Sequence, residues 1–259
     1  MPTLSITVIT KNEQENIRQC LESVQWADEI IVLDCGSVDA TMDICREYTN
    51  KVFHQDWLGY GPQKNRALDY ATGDWVLSLD ADERVTPELK EEIEQAMAQH
   101  RFDAYRLPRL SQYCGRFMRH SGWWPDYVLR LFRRGTARFS EVRVHEQVET
   151  SGTVGTLVSP LLHYSFGNFE QVLHKVNQYS TEGAHLLAAR GKKASLLQAV
   201  LHALWAFCRT YILRRGFLDG RHGFLLAVSN AEGTYYRYVK LWYLQQGPQR
   251  LPNDGGSKP

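Results

Sequence analysis

The sequence predicts an α/β fold: a mostly parallel central sheet flanked by helices, followed by a C-terminal helical extension. Three observations predict it. Apolar or β-branched runs of strand length alternate with amphipathic helix-length segments over roughly the first hundred residues. Three polar clusters, at 10–13, 34–39 and 80–83, fall at the ends of such runs, where an open parallel sheet binds its ligands. After Gly167 the β character stops and apolar residues recur at helical spacing.

Taken in order, Leu4 to Thr10 (L-S-I-T-V-I-T) is a first strand buried on both faces, ending at Lys11-Asn12-Glu13. Ile17, Cys20, Leu21 and Val24 then form one helical stripe. Glu29 to Leu33 is a second strand, followed by the polar loop Asp34 to Thr41, which opens a second helix. Lys51 to Phe53 suits a short third strand, and Pro62 to Ala71 a helix carrying Lys64, Asn65 and Arg66. Trp75 to Leu79 is the next strand and runs into Asp80-Ala81-Asp82-Glu83. Thr86-Pro87 is an N-cap with proline at the first helical position, and Leu89, Ile93, Ala96 and Met97 give that helix its buried stripe.

From Ala104 the pattern becomes β-rich. Ala104 to Arg109, Tyr127 to Arg133, Arg138 to Val148 and Leu157 to Tyr164 are extended, with a loop rich in Trp123, Trp124 and Pro125 among them. This section extends the sheet and walls a cleft. Helices are expected at Asn168 to Ala189, Ala194 to Leu213 and His222 to Leu244. The expected organisation is an α/β domain at 1–166 (halves 1–100 and 101–166), a helical extension at 167–247 and a disordered tail at 248–259.

Composition is that of a globular protein, with 43% hydrophobic and 23% charged residues. No run approaches the roughly 18–20 uninterrupted apolar residues that span a bilayer, and the first residues lack a basic segment followed by an apolar one, so no signal peptide is expected. The five cysteines form no C-x-x-C and are read as reduced thiols of a cytosolic protein. The net charge of +1 conceals an asymmetry: residues 166–259 carry twelve Lys and Arg against five Asp and Glu, and residues 1–165 carry eighteen against twenty-four. Such a split suggests different partners for the two parts.

The strand end Asp80-Ala81-Asp82-Glu83 is hard to explain by stability, because like charges at one chain end repel and resist burial. On an extended backbone Asp80 and Asp82 point to one side, which suits a hard divalent cation. An isolated D-x-D is ordinarily a solvated turn capping the next helix, so its weight comes from the other two clusters. Glu83 has no role in this reading beyond starting the turn toward Thr86. A P-loop (G-x-x-x-x-G-K-[ST]) and a G-x-G-x-x-G after the first strand are both absent, which argues against phosphate-loop and dinucleotide chemistry.

Four motifs in order, T-V-I-T-K-N-E at 7–13, I-I-V-L-D-C-G-S-V-D-A-T at 30–41, Q-K-N-R-A at 63–67 and L-D-A-D-E at 79–83, make the chain resemble the inverting family 2 glycosyltransferases of GT-A fold. R-L-F-R-R at 130–134, V-H-E at 144–146 and L-L-H-Y at 161–164 resemble a narrower group, the β-1,4-glucosyltransferases of lipopolysaccharide and lipooligosaccharide core synthesis (the WaaE and LgtF type). The resemblance implies that Thr10, Asn12 and Glu13 lie by the nucleotide, that Asp34 meets the uracil with Ser37 and Asp39 in its loop, and that Lys64 and Arg66 lie near uracil or diphosphate. It implies Asp80 near the ribose and Asp82 as ligand of Mg²⁺ or Mn²⁺, with His163 a further ligand and His145 its rival. It also implies a UDP-sugar donor, UDP-glucose, and a heptose of the lipid A–linked core as acceptor, at the cytoplasmic face of the inner membrane. The same resemblance makes 1–166 a catalytic domain, with a nucleotide-binding half at 1–100 and an acceptor half at 101–166.

An inverting transfer needs a carboxylate to take the acceptor proton. Glu146, ending a strand in the acceptor half, is the first candidate; Asp126 in W-W-P-D is the second and matches the acid of the E-D pair in many family 2 enzymes. In the C-terminal helices Arg209, Arg214, Arg215, Arg221, Arg237 and Lys240 interleave with Trp205, Tyr211, Phe217, Tyr235 and Trp242, which suits an anionic membrane surface. Nucleic acid is ranked below it, since no recognition motif accompanies the patch. The alternatives are another donor or acceptor on the same scaffold, including a peptide acceptor or a retaining outcome, and an inactive sugar-nucleotide or glycan-binding module.

Overall fold

A computed structural model of the chain describes residues 2–140 and 147–246. In chain order the elements are β1 (Leu4–Thr10), α1 (Ile17–Glu22), β2 (Glu29–Asp34), α2 (Thr41–Arg46), β3 (Val52–His54), α3 (Tyr60–Asp69), β4 (Trp75–Asp80), β5 (Glu83–Val85), α4 (Pro87–Gln99) and β6 (Ala104–Tyr113). They continue with β7 (Arg116–Phe117), β8 (Asp126–Arg133), β9 (Ala137–Phe139), β10 (Val148–Thr150), β11 (Val154–Thr156), β12 (Leu161–Phe166), α5 (Phe169–Ala189), α6 (Leu196–Cys208) and α7 (Gly220–Gln245). The predicted cap forms, with Thr86 Oγ1 accepting from Leu89 N at 3.1 Å, and Asn168 Oδ1 caps α5 in the same way, accepting from Gln171 N at 2.9 Å.

The chain folds as two compact units, Met1–Gln112 with Trp123–Ser165, and Tyr113–Gly122 with Phe166–Pro259. In the first unit the strand order across the sheet is β3-β2-β1-β4-β8-β6-β12-β5. The β3-β2-β1-β4 half is parallel, as expected, and β8 and β6 continue it antiparallel. β1 is buried along its whole length because both faces are covered. Leu4, Ile6 and Val8 pack with Ile17, Cys20 and Leu21 of α1 and with Leu89 and Ile93 of α4. On the other face Ile9 and Leu33 pack against Ala67 of α3. The parallel register sets Thr10 opposite Asp34, Asp34 opposite His54 and Ile9 opposite Asp80, so the polar ends of four strands come level along one edge.

Two sequence expectations change here. The run Arg138 to Val148 is not one described strand: β9 and β10 pair antiparallel, and residues 141–146 lie outside the described residues, as does the expected tail. Where the sequence expectation is a single break at 166/167, the helical unit also takes in Tyr113–Gly122. Its anchor is Asp219, a buried carboxylate that accepts from Arg119 N, His120 N and Ser121 Oγ at 3.0–3.2 Å. In the helical unit α6 runs on into a π-helical turn (Arg209–Leu213). Leu196–Leu213 is thus a continuous 18-residue helical stretch of mean hydropathy 1.4, of which only 17% is buried. Gln198, His202 and Arg209 interrupt it, which is why a search for uninterrupted apolar runs passes over it. By length and composition it is sufficient to cross a membrane.

Glu29, at the start of β2, ties three segments together. Its carboxylate accepts from Lys51 Nζ, Ser5 Oγ, and Thr72 N and Oγ1, the last two at 2.9 Å. Burial pushes its pKa up, but these donors prevail and hold it at about 2. A folded pKa below the unfolded value of about 4.3 adds stability that is complete above that value and lost as pH falls through the folded one. We therefore expect Glu29→Gln to lower the urea midpoint at pH 7 and to flatten the acid limb of the stability–pH curve between about pH 4 and 2; an unaltered acid limb would refute this role.

Candidate active site

The loops after β1 and β2 are laced together by their own side chains. Asp34, buried at the end of β2, accepts from Gly36 N at 2.8 Å and Ser37 N at 2.9 Å through Oδ2, and from the Ser37 hydroxyl through Oδ1. Asn12 adopts a left-handed φ of 54°, which lets its backbone N donate to Ser37 Oγ (2.8 Å) while its Oδ1 accepts from Val38 N (2.9 Å). Asp39 accepts from Thr41 N at 3.0 Å, and Thr41 Oγ1 in turn accepts from Glu13 N at 2.8 Å. Among the described residues Thr10 Oγ1 is buried without a hydrogen-bond partner at this same strand end. A buried hydroxyl without a partner is costly, and one at a ligand-binding edge is a place for a ligand's polar atom.

The acids at the end of β4 meet different partners. The strand stops at Asp80, so the extended backbone that would point Asp80 and Asp82 the same way ends between them. Asp80 Oδ1 lies 2.8 Å from Lys64 Nζ, and its Oδ2 takes a close hydrogen bond from Arg130 Nη2. Arg130 also donates to Glu83 Oε1 at 2.9 Å, and Glu83 Oε2 accepts from Asp80 N at 3.0 Å. Arg109 Nη1 reaches Glu83 Oε1 at 3.5 Å, while its Nε and Nη2 hold Asp126 Oδ2 at 3.0 and 2.7 Å. The result is an alternating chain, Lys64–Asp80–Arg130–Glu83–Arg109–Asp126. Glu83 is fully buried at its centre, so it is not a turn residue as the sequence suggested. Burial raises the pKa of Asp80, yet Arg130 and Lys64 together bring it well below the ordinary carboxylate range.

Asp82 follows a different course. Its Oδ2 is 3.3 Å from His163 Nε2, and the ring's Nδ1 is 2.9 Å from Ser111 Oγ. Tyr164 N donates to the Asp82 carbonyl at 2.9 Å, which locks β12 beside the turn. Two of the residues expected to serve a metal, 81 positions apart in sequence, thus converge. Glu13 stands near: burial holds its carboxyl above the usual range, the Asn16 amide opposes this, and the charges of Asp82 and Asp39 add to it. One carboxylate and one imidazole nitrogen, with excess negative charge beside them, fit a Mg²⁺ or Mn²⁺ that takes its remaining ligands from a substrate diphosphate and water. Among the described residues no cluster of three or more His, Cys, Asp or Glu forms a self-sufficient metal cage.

The other expected site residues are placed as follows. Arg66 Nη1 donates to Asp56 O at 3.0 Å, which pins the segment before α3. Asp126 opens β8, and both of its bonds from Arg109 fall on Oδ2 rather than Oδ1. Glu146 and His145 lie outside the described residues. Arg130, Glu83 and Arg109 are the site residues that reading single positions missed. Arg130 stood in the R-L-F-R-R motif, and that is the one signal that pointed to it.

Residues 5–159 match the profile of Glycosyl transferase family 2. The chain belongs to this family. It is 34% identical to an uncharacterized glycosyltransferase of Rickettsia typhi, with 93% of this chain and 87% of the relative covered. It is 28% identical to the lipopolysaccharide core biosynthesis glycosyltransferase LpsC of Rhizobium meliloti, over 96% of this chain and 95% of the relative. The crystal structure of S. aureus TarS 1-349 in complex with UDP-GlcNAc superposes with a TM-score of 0.49 at 16% identity, covering 96% of this chain and 93% of that chain, too distant for its ligand to speak for this one. As a family 2 glycosyltransferase with helices on both faces of a β3-β2-β1-β4 parallel half-sheet, the chain has the GT-A fold.

Because Arg130 is buried between two carboxylates, removing it strands both. Arg130→Met is expected to cost this family 2 transferase about 3–5 kcal/mol in urea unfolding. Adding Glu83→Gln and Asp80→Asn should restore part of that loss; a single variant as stable as the wild type would show the chain of charges to be unimportant to the fold.

Proposed function

We propose that the protein transfers glucose from UDP-glucose, with inversion, to a heptose hydroxyl of the lipid A–linked lipopolysaccharide inner core, at the cytoplasmic face of the inner membrane. The family supplies the reaction class, and the near full-length similarity to a lipopolysaccharide core glycosyltransferase supports the acceptor class. The observation that carries the mechanism is the convergence of Asp82 and His163 beside the Asp80 end of β4. In this reading Thr10, Asp34 and the Asn12–Ser37 loops receive the uridine, and Asp80 receives the ribose. Asp82 and His163 hold Mg²⁺ or Mn²⁺, which when bound offsets charge on the departing diphosphate.

The chain's own residues then do the rest. Ser111 holds His163 by Nδ1 and leaves Nε2 turned to Asp82. Lys64 and Arg130 keep Asp80 ionised, and place positive charge at the strand end where the diphosphate develops negative charge. The acceptor oxygen attacks the anomeric carbon, its proton passes to a carboxylate, and the bond from that carbon to the diphosphate breaks with its electron pair leaving on UDP. Glu146 and Asp126 are the two carboxylates proposed for the proton. For Asp126, Arg109 fixes the side chain through Oδ2 and leaves Oδ1 for the hydroxyl. The helical unit brings the enzyme to the anionic membrane surface where a lipid-linked acceptor resides.

Two measurements test this reading. Asp82→Ala should reduce kcat by at least about a hundredfold and abolish its response to added Mg²⁺ or Mn²⁺, with the circular dichroism spectrum unchanged; full activity without metal would refute the assignment. Glu146→Gln and Asp126→Asn should part company: the true base loses about 10²–10⁴ in kcat while donor KM is retained. Product linkage and anomeric configuration read by NMR, with a panel of sugar nucleotides and truncated core acceptors, decide donor and acceptor.

A further inference from the structure

Helix α6 is built inside out. Its buried stripe is small: Ala199, Ala206 and, one turn into the π-helical continuation, Thr210. This stripe packs along α7, with His202 stacked on Tyr238 at 4.3 Å between ring centroids and Asn230 Nδ2 donating to Thr210 Oγ1 at 3.3 Å. The large apolar side chains point the other way. Leu197 is 68% exposed, Leu201 55%, Leu204 58%, Trp205 57% and Leu213 63%. A water-facing helix buries its large residues and exposes polar ones. Small residues at the helix contact with large apolar ones outside is the arrangement favoured in hydrocarbon.

The charges around this face say what covers it. Between Glu182 and Glu232 the chain carries seven Lys and Arg and one acid, Asp219, which is buried. Arg190, Lys192 and Lys193 stand exposed before α6; Arg209, Arg214, Arg215 and Arg221 stand exposed after it. An apolar face between two basic rims complements one anionic leaflet, with acyl chains under the leucines and lipid phosphates at both ends. Crossing the bilayer is disfavoured on three counts. The uncharged part, Leu196–Cys208, is 13 residues, about 20 Å of helix against a hydrocarbon core of about 30 Å. Spanning would carry one basic rim to the far side. Among the described residues no second helix is long and apolar enough to bring the chain back.

We propose that α6 lies in the plane of the membrane, immersed by its Leu197–Leu201–Leu204–Trp205 face in one anionic leaflet and held there by the Lys and Arg at its two ends. This deepens the membrane contact of the proposed function but does not depend on the donor or acceptor sugar. It also separates two contributions. The basic rims attract the protein in a salt-dependent way, and the apolar face retains it when salt is raised.

The test uses the full chain with vesicles of phosphatidylglycerol and phosphatidylcholine, and of phosphatidylcholine alone. Sedimentation with the anionic vesicles should survive high salt in part. Brominated phospholipids should quench a fluorescence component that disappears in Trp205→Phe. Leu197→Glu combined with Leu201→Glu and Leu204→Glu, all exposed and so harmless to the fold, should weaken vesicle binding roughly tenfold or more while transfer to a soluble truncated acceptor persists. Arg209→Gln with Arg215→Gln should lower binding to anionic vesicles and leave the weak binding to neutral ones. Three results would each overturn the proposal: undiminished binding by the triple variant, absence of Trp205 quenching, or a lipid-free dimer that the same substitutions dissociate, which would make the face an interface between copies of this chain. Protection of only one flank of α6 from protease added outside sealed vesicles would replace immersion by spanning. Loss of transfer to every sugar acceptor with vesicle binding intact would instead count against the proposed reaction alone.

Discussion

Arg130 is the residue on which the site's geometry depends. It is buried, it contacts two carboxylates, at the end of β4 and the start of β5, and it comes from β8, a strand antiparallel to β4. Three acids at the end of one strand repel one another and resist burial. Arg130, with Lys64 from α3 and Arg109 from β6, makes possible the burial of Glu83 and the partial burial of Asp80. A buried ion pair does not of itself favour folding, since desolvation offsets the attraction, but breaking one leaves an uncompensated charge. The arrangement therefore acts as a constraint on geometry: the turn at Ala81–Asp82 takes a single position while the charges are all present.

From that constraint follows a division of labour within the acidic turn. Asp80 and Glu83 are held by cations of the protein, whereas Asp82 faces a histidine and a partly exposed edge. A carboxylate already paired with two cations is a poor ligand for a third; one beside an imidazole and near the Glu13 carboxylate is a good one. The same alternating series of charges ends at Asp126, so the residue that holds a candidate base and the residues that shape the donor end of the site belong to one network. The helical unit obeys other rules: its α6 helix turns large apolar groups outward. The charge asymmetry between the two parts of the chain is the compositional trace of this difference.

Much of the fold was legible in the sequence because each signal was local. The strands β1, β2 and β4 are short apolar runs, the helix cap at Thr86 is a single residue with its acceptor atom in place, and the polar clusters sit where the runs stop. What was illegible involves partners far apart in the chain. Glu83 resembled a turn residue because its cations are 26 and 47 positions away. Tyr113–Gly122 looked like part of the β-rich section because its anchor, Asp219, is about a hundred residues on. The helical stretch Leu196–Leu213 is no uninterrupted apolar run, because Gln198, His202, Arg209 and Thr210 break it, although its exposed face is apolar.

By itself the sequence determined the alternation of strands and helices, the placing of the polar clusters at strand ends, and the family to which those clusters belong, because periodicity, capping and motif order are properties of neighbouring residues. Only the tertiary structure decided which acid answers to which charge. It paired Asp82 with His163, gave Asp80 and Glu83 to Arg130, and turned the leucines of α6 outward. Such choices rest on which strands lie side by side and which helix faces are already covered, and long-range packing alone sets those.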